Sequence, residues 1–300
     1  DHGSHVTTGH VIRNALREGI WGDDARRILL FHDSNRYGSM ASQLNVAARE
    51  IIRRDPASNE HYFILYNADS DPAPDTLRVV IAMANREEEK REIVFQQPCA
   101  FTKNAGMQAK PFVNALSLFQ TWFCLGHEIP LLQRYGNRLR KVGDGMLREF
   151  FYSPLGYVVG HGSAMRFGTL LKHGGYPEHL LTEDLTFGYI LSASRVPIRV
   201  MPSLEVAGVP LNFISFIKQR SVWFWNYIEY FSCFTENRLR HTPASRKLAL
   251  LLIGTSRGLY WLFSSLFYAV PFILGILAMN GWIMISAVIG LVVFQIMPML

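Results

Sequence analysis

Apolar and polar positions alternate in short blocks over the first two hundred residues, then give way to a long apolar stretch. Arg27–His32 and His61–Tyr66 are short apolar runs of strand length, and Glu92–Gln97 is a third. Between them, Ser39–Arg54 carries helical spacing through Leu44, Ala47, Ala48, Ile51 and Ile52. Pro74-Asp75-Thr76-Leu77 opens another helix, with Asp75 placed as a cap. Lys103–Phe123 reads as a long helix, and Gly156–Val159 and Val196–Met201 as later strands. Strands separated by helices predict an α/β fold with a mostly parallel, doubly wound sheet. Ligands of such sheets sit beyond the carboxyl ends of the strands.

Pro210 opens a different pattern. Leu211–Arg240 has helical spacing with nine aromatic residues, among them Phe213, Phe216, Trp223, Trp225 and Phe231, interrupted by Lys218, Arg220, Asn226 and Glu229. Trp and Tyr favour the membrane–water boundary, so this reads as an interfacial helix; packing on a soluble core is the alternative. Gly258–Met279 holds 22 uncharged, mostly apolar residues. At 1.5 Å per residue that spans about 30 Å of hydrocarbon. Asn280-Gly281 is a turn signal, and Trp282–Leu300 is long enough to return. Arg257 sits at the edge of the span, placed to snorkel. The expected divisions are 1–205 as the α/β domain, 206–247 as the interfacial region and 248–300 as transmembrane helices.

Charge refines this picture. The formal net charge is +6 with a pI near 9.3, yet no dense Lys/Arg run or zinc-finger pattern appears. The balance suits anionic lipid or a diphosphate ligand, and nucleic acid is not expected as a partner. Arg238, Arg240, Arg246 and Lys247 precede the span, which predicts a cytoplasmic α/β domain on an integral membrane protein. Cys99, Cys124 and Cys233 are odd in number and far apart, predicting neither a disulfide framework nor a metal cluster. The chain opens at Asp1 without Met and stops at Met299-Leu300 inside an apolar run, which reads as a fragment of a longer protein.

Three short segments carry chemistry. Asn67-Ala68-Asp69-Ser70-Asp71-Pro72 follows an apolar strand and offers Asp69 and Asp71 to a divalent cation; a capped turn is the alternative. Thr182-Glu183-Asp184 starts a helix, where Asp184 is placed as a base toward a hydroxyl; the alternative is that Thr182 caps and the acids complement the dipole. Gln219, Arg220 and Trp223 lie on adjacent helical turns and offer a cation for phosphate and a flat ring for a sugar.

Taken in order, these segments resemble a membrane-anchored family 2 glycosyltransferase of the cellulose-synthase-like and hyaluronan-synthase-like branch, with a GT-A (Rossmann-like) domain. Asp1-His2-Gly3-Ser4 resembles D-D-G-S, Ala41–Asn45 resembles A-x-x-L-N, and Asn67–Pro72 resembles D-A-D-S-x-P. Gly160–Arg166, Gly174-Gly175-Tyr176, the T-E-D segment and the Q-R-x-x-W segment follow in family order. The resemblance implies a nucleotide-sugar donor, a UDP-sugar, with Mg2+ or Mn2+, inversion at the anomeric carbon, and a glycan or lipid-linked acceptor among membrane lipids. It implies Asp184 as base and Asp69 and Asp71 as metal ligands. Asp1, Asn67, Asp69, His161 and Arg220 are then the donor contacts, and Glu183, Gln219 and Trp223 the acceptor contacts. Departures exist: Asn67 stands for the first acid of D-A-D, Met40 for a common Lys, and Val222 for the Arg before Trp223. They motivate one competing expectation, a GT-A-like pseudoenzyme that binds without transferring. A transporter component is a second alternative, but the apolar region carries no acid.

Overall fold

The computed structural model describes residues 39–67, 70–86, 92–106, 108–143, 145–264 and 266–292. Asp1, Asp69, the run at 27–32 and the last residues of the returning apolar segment lie outside the described residues.

The first helix, α1 (Met40–Arg54), forms as its spacing predicts, with the Ser39 hydroxyl accepting from the Ser42 amide. Four strands build the main sheet: β1 (Tyr62–Leu65), β3 (Val94–Gln96), β5 (Ser163–Arg166) and β6 (Ile198–Val200). Their order is β1-β5-β3-β6. Only β3 and β6 run parallel; β5 lies antiparallel to both neighbours, so the sheet is mixed and not mostly parallel as the sequence suggested. The cause is the excursion before β5. Helices α3 (Pro111–Trp122) and α4 (Ile129–Leu139) are joined by a π turn at Phe123–Glu128, and α5 (Met146–Tyr152) follows. This excursion returns the chain at the carboxyl ends of β1 and β3, so β5 must enter the sheet backwards. The Gly162 amide donates to Leu65 O and the Gln97 amide to Gly162 O, both at 2.7 Å.

Three other expectations shift. Residues 103–106 and 108–110 are not helical, and the helix there begins at Pro111, whose fixed φ suits a first turn. Gly156–Val159 is no strand. Its polar groups go to side chains, with the Gly156 amide donating to Ser192 Oγ and the Val159 amide to Gln96 Oε1, both at 2.9 Å. Asp75 does not cap by its carboxylate; Oδ1 accepts from Ser203 Oγ at 3.2 Å ahead of α2 (Thr76–Arg86).

A second sheet has the order β2-β7-β4: β2 (Asp71–Pro72), β7 (Glu205–Val206) and β4 (Cys99–Ala100). Each strand continues the chain just past a carboxyl end of the main sheet, so this small sheet stands beside the expected ligand position. Short helix α6 (Phe167–Lys172) follows β5, and α7 (Glu183–Ala193) is buried at every residue from Thr186 onward. Phe187, Tyr189, Ile190 and Leu191 share the main core with Val94, Met165 and Ile198. Each such side chain contributes about 1.5–3 kcal/mol by leaving water. The T-E-D segment therefore begins a helix that cannot shift without opening the core.

Helix α8 (Phe213–Phe234) inverts the usual surface pattern. Its buried face carries Arg220, Asn226, Glu229, Tyr230 and Cys233, while Phe213, Ile214, Trp225, Ile228 and Phe231 stand exposed. Beyond it, α9 (Ala244–Phe263) and α10 (Leu266–Leu277) break the run at 258–279 into two helices, with α11 (Gly281–Leu291) after the turn. Gly258 falls inside α9 against the Tyr227 ring, where an added Cβ would come to 2.6 Å. Arg257 does not snorkel; its Nη1 donates to Leu155 O at 3.0 Å. Among the described residues no single helix is long and apolar enough to cross a membrane, while α9 and α10, bent by 41°, meet the length and composition together.

Candidate active site

The site forms where the turn Gly160-His161-Gly162 meets the start of α7, the π turn and α8. Asp184 is partly buried at the first turn of α7, and its Oδ1 accepts from the Leu185 amide at 2.7 Å. The Gly160 amide also supports this carboxylate. A Cβ on Gly160 would stand 2.9 Å from Asp184 Oδ2, so a larger residue there would displace this carboxylate. Burial raises the Asp184 pKa above the ordinary carboxylate range, and the amides and His161 offset only part of that. Glu183, half-buried beside it, is pushed up to about 7 by burial first and by the Asp184 charge second.

Thr182 does not cap α7 with its side chain. Its hydroxyl donates instead to Glu229 on α8, whose carboxylate also accepts the Leu181 amide at 2.5 Å and the Thr182 amide at 3.0 Å. One buried carboxylate thus ties the aromatic helix to the segment that presents Asp184, and the second and third sequence motifs meet.

His161 sits among three carboxylates. Its Nδ1 is 3.1 Å from Glu205 Oε2. Burial lowers the imidazole pKa, but Glu205 more than offsets this, with Glu128 and Asp184 adding, so the net shift is upward. Glu128 ends the π turn, a distortion common at functional sites. It accepts from Tyr157 Oη at 2.9 Å, and burial raises its pKa while His161 and Arg220 pull it back.

Arg220 is 9% exposed, and its Nε and Nη2 have no hydrogen-bond partner. Three rings surround the guanidinium: Trp223 at 4.5 Å, Phe216 at 5.2 Å and Phe119 at 5.3 Å. Burial draws its pKa down to about 10, against the attraction of Glu128. A buried guanidinium with unmade bonds costs free energy unless an anion completes it. Gln219 lies alongside, its Oε1 accepting from Gln120 Nε2 at 3.2 Å.

The remaining expected residues are less gathered. Asn67 is exposed, and its carbonyl accepts the Ser70 amide at 3.1 Å. Asp71 is exposed on β2. Ser70 Oγ donates to Glu205 Oε1 at 2.5 Å. Two other motifs do meet: Asn45 of α1 donates through Nδ2 to Tyr176 O, and its Oδ1 accepts the Tyr176 amide, both at 2.8 Å. Gly175, at φ +75°, leaves no room for a Cβ against that amide group.

Sequence reasoning missed Glu128, Glu205 and Cys99. Cys99 packs beside Cys124 and joins His161 and Glu205 in a set whose ligand atoms lie within 4.8 Å of one another. The one signal was a lone carboxylate in the apolar run Leu204-Glu205-Val206-Ala207.

The start of α7 thus sets the Asp184 carboxylate near His161, and α8 carries the unpartnered Arg220 guanidinium against the Trp223 ring. Residues 133–300 match the family described as Glycosyl transferase family group 2, and the chain belongs to that family. It is a glycosyltransferase, and the main sheet of its α/β region is mixed. The matched span includes His161, Glu183, Asp184, Gln219, Arg220 and Trp223 but neither Asn67 nor Asp69. No curated protein matches the chain. Among solved structures, it is similar to a mannosyltransferase from Pyrobaculum calidifontis in complex with GDP-Man and Mn2+, at 14% identity and a TM-score of 0.47, covering 96% of this chain and 75% of that one.

Proposed function

We propose that the chain moves a sugar, with inversion, from a nucleotide-diphosphate donor, a UDP-sugar, to a glycan or lipid-linked acceptor at the cytoplasmic face of a membrane. The acceptor oxygen attacks the anomeric carbon, the bond from that carbon to the diphosphate oxygen breaks, and the acceptor proton passes to Asp184. Burial makes this carboxylate a stronger base than one in water, while the Leu185 and Gly160 amides hold it in place. Arg220 receives the departing diphosphate, and the Trp223 face stacks on the acceptor sugar. The observation that carries this reading is the Arg220 guanidinium, nine-tenths buried with Nε and Nη2 unpartnered.

Asp69 and Asp71 would hold Mg2+ or Mn2+, which supplies charge neutralisation on the diphosphate. Asp71 is exposed and offers carboxylate oxygens, the donor type a hard cation takes. Glu183, Gln219 and Asn67 complete the acceptor and donor contacts. The exposed apolar face of α8 would lie along the membrane, with α9 and α10 entering it as a bent pair.

The test is a panel of nucleotide sugars, UDP-sugars and GDP-mannose among them, supplied with and without Mn2+ to the chain in membranes. A UDP-sugar consumed only with metal, giving a product of inverted configuration, supports the reading. A retained configuration removes the single-displacement step, and use of GDP-mannose alone removes the UDP-sugar assignment.

A further inference from the structure

We infer that Cys99, His161 and Glu205 form a second metal site, for a borderline cation of the Zn2+ class, which pins the Gly160–Gly162 turn to the small sheet. The site is separate from any hard cation on the diphosphate and stands whether or not the transfer reading does.

The three ligands come from rigid, converging elements. Cys99 and Glu205 are direct partners in the parallel pairing of β4 with β7, so their side chains leave the sheet on one side. Cys99 is 1% exposed and Glu205 is fully buried. His161 is brought to them by a turn fixed on both flanks: Gln96 Nε2 donates to His161 O at 2.8 Å, and Gly162 holds φ +65°. A Cβ on Gly162 would stand 2.8 Å from Glu205 Oε2, so glycine leaves the space into which this carboxylate projects.

The geometry is near what a metal needs. Metal–ligand bonds of ~2.0–2.3 Å set ligand separations of ~3.3–3.8 Å at tetrahedral angles. His161 Nδ1 and Glu205 Oε2 are 3.1 Å apart, and all three ligand atoms fall within 4.8 Å. Small side-chain adjustments close the set. One outer partner is also present: Ser70 Oγ holds the other Glu205 oxygen at 2.5 Å.

Donor type decides the metal class. A thiolate, an imidazole and one carboxylate suit Zn2+ or Co2+, and poorly suit Mg2+, which takes an oxygen shell. A cation here replaces the His161–Glu205 hydrogen bond with two coordinate bonds. It holds the backbone whose Gly160 amide supports Asp184.

The test uses the full chain, stripped with chelator and titrated with Co2+ and then Zn2+, followed by absorbance and thermal unfolding. The site predicts a near-ultraviolet thiolate-to-cobalt band, its displacement by Zn2+, and a higher Tm with Zn2+ but not with Mg2+. Cys99→Ser and His161→Gln should both lose the band and the Zn2+ shift, whereas Asp69→Asn and Cys124→Ser should keep them. Absence of the band in the folded wild type, or its survival in Cys99→Ser, would overturn the inference. Loss of the band in Asp69→Asn would show that only the diphosphate-site metal had been seen and would equally sink the second site.

Discussion

Glu183 offers the sharpest thermodynamic prediction. Its pKa rises from an ordinary 4.5 to about 7, first because burial strips water from the carboxylate, then because Asp184 repels its charge, with Glu229 adding. The folded chain therefore holds a proton on Glu183 over a pH range in which the unfolded chain has lost it. Stability from this group is complete below pH 4.5 and is lost as pH rises through about 7. Each pH unit across that window is worth 1.36 kcal/mol, giving ~3 kcal/mol at full coupling. Glu183 is only half-buried, and solvent screening reduces this to ~1–2 kcal/mol. Glu183→Gln keeps the shape and removes the titration. Between pH 5 and pH 8 the wild type should lose that ~1–2 kcal/mol more than the variant, or roughly 2–6 °C in Tm. Circular dichroism melts of both proteins in one detergent at fixed ionic strength measure the difference. Equal pH slopes in the two proteins would show that Glu183 titrates normally and that the pocket at the start of α7 is wet.

Other perturbations reach separate parts of the molecule. Arg220→Ala should weaken the nucleoside diphosphate far more than Trp223→Ala does, while Trp223→Ala should chiefly raise the acceptor KM; equal losses of diphosphate affinity in calorimetry would reduce α8 to a structural support. Asn45→Ala removes three hydrogen bonds tying α1 to Tyr176 and Glu178 and should cost ~1–3 kcal/mol in urea unfolding, with a near-zero cost disproving that link. Glu149 is 4% exposed and pairs with Arg195 and with Arg246 of α9, so Glu149→Ala should destabilise by ~3–5 kcal/mol and loosen α9 from the α/β domain. Unchanged proteolysis of the 235–243 connection in that variant would count against this anchoring role.

Elements with strong local signals were legible before the fold was known. The 3.6-residue spacing of Leu44, Ala48 and Ile51 marks α1, and the aromatic run of α8 marks that helix, because both patterns are local. Strand direction was not legible. β5 runs antiparallel because a helical excursion of some forty residues returns it to the carboxyl ends of β1 and β3, and nothing within Ser163–Arg166 records that route. The segments holding Asp184, Arg220 and Trp223 stood out because they are short ordered motifs, and the fold brings the helices that carry them together through Glu229. Glu229 itself could not be read, since its function is to accept Thr182 across 47 residues, and in sequence it is one more polar position on an aromatic helix. Cys99 and Glu205 likewise become neighbours only when two strands of two residues each pair. The run at 258–279 looked continuous in hydropathy, but its hydropathy carries no signal for the break between Phe263 and Leu266.

The central claim, that Asp184 takes the acceptor proton, rests on one replacement measured two ways. Asp184→Asn keeps a group able to accept the Leu185 amide and removes the basic oxygen. Steady-state transfer and donor binding should be measured on the same preparation. The account predicts a transfer rate lower by about 10²–10⁴-fold with donor affinity nearly unchanged. Transfer at close to the wild-type rate would contradict it, and the base would then have to be sought at Glu183 or His161.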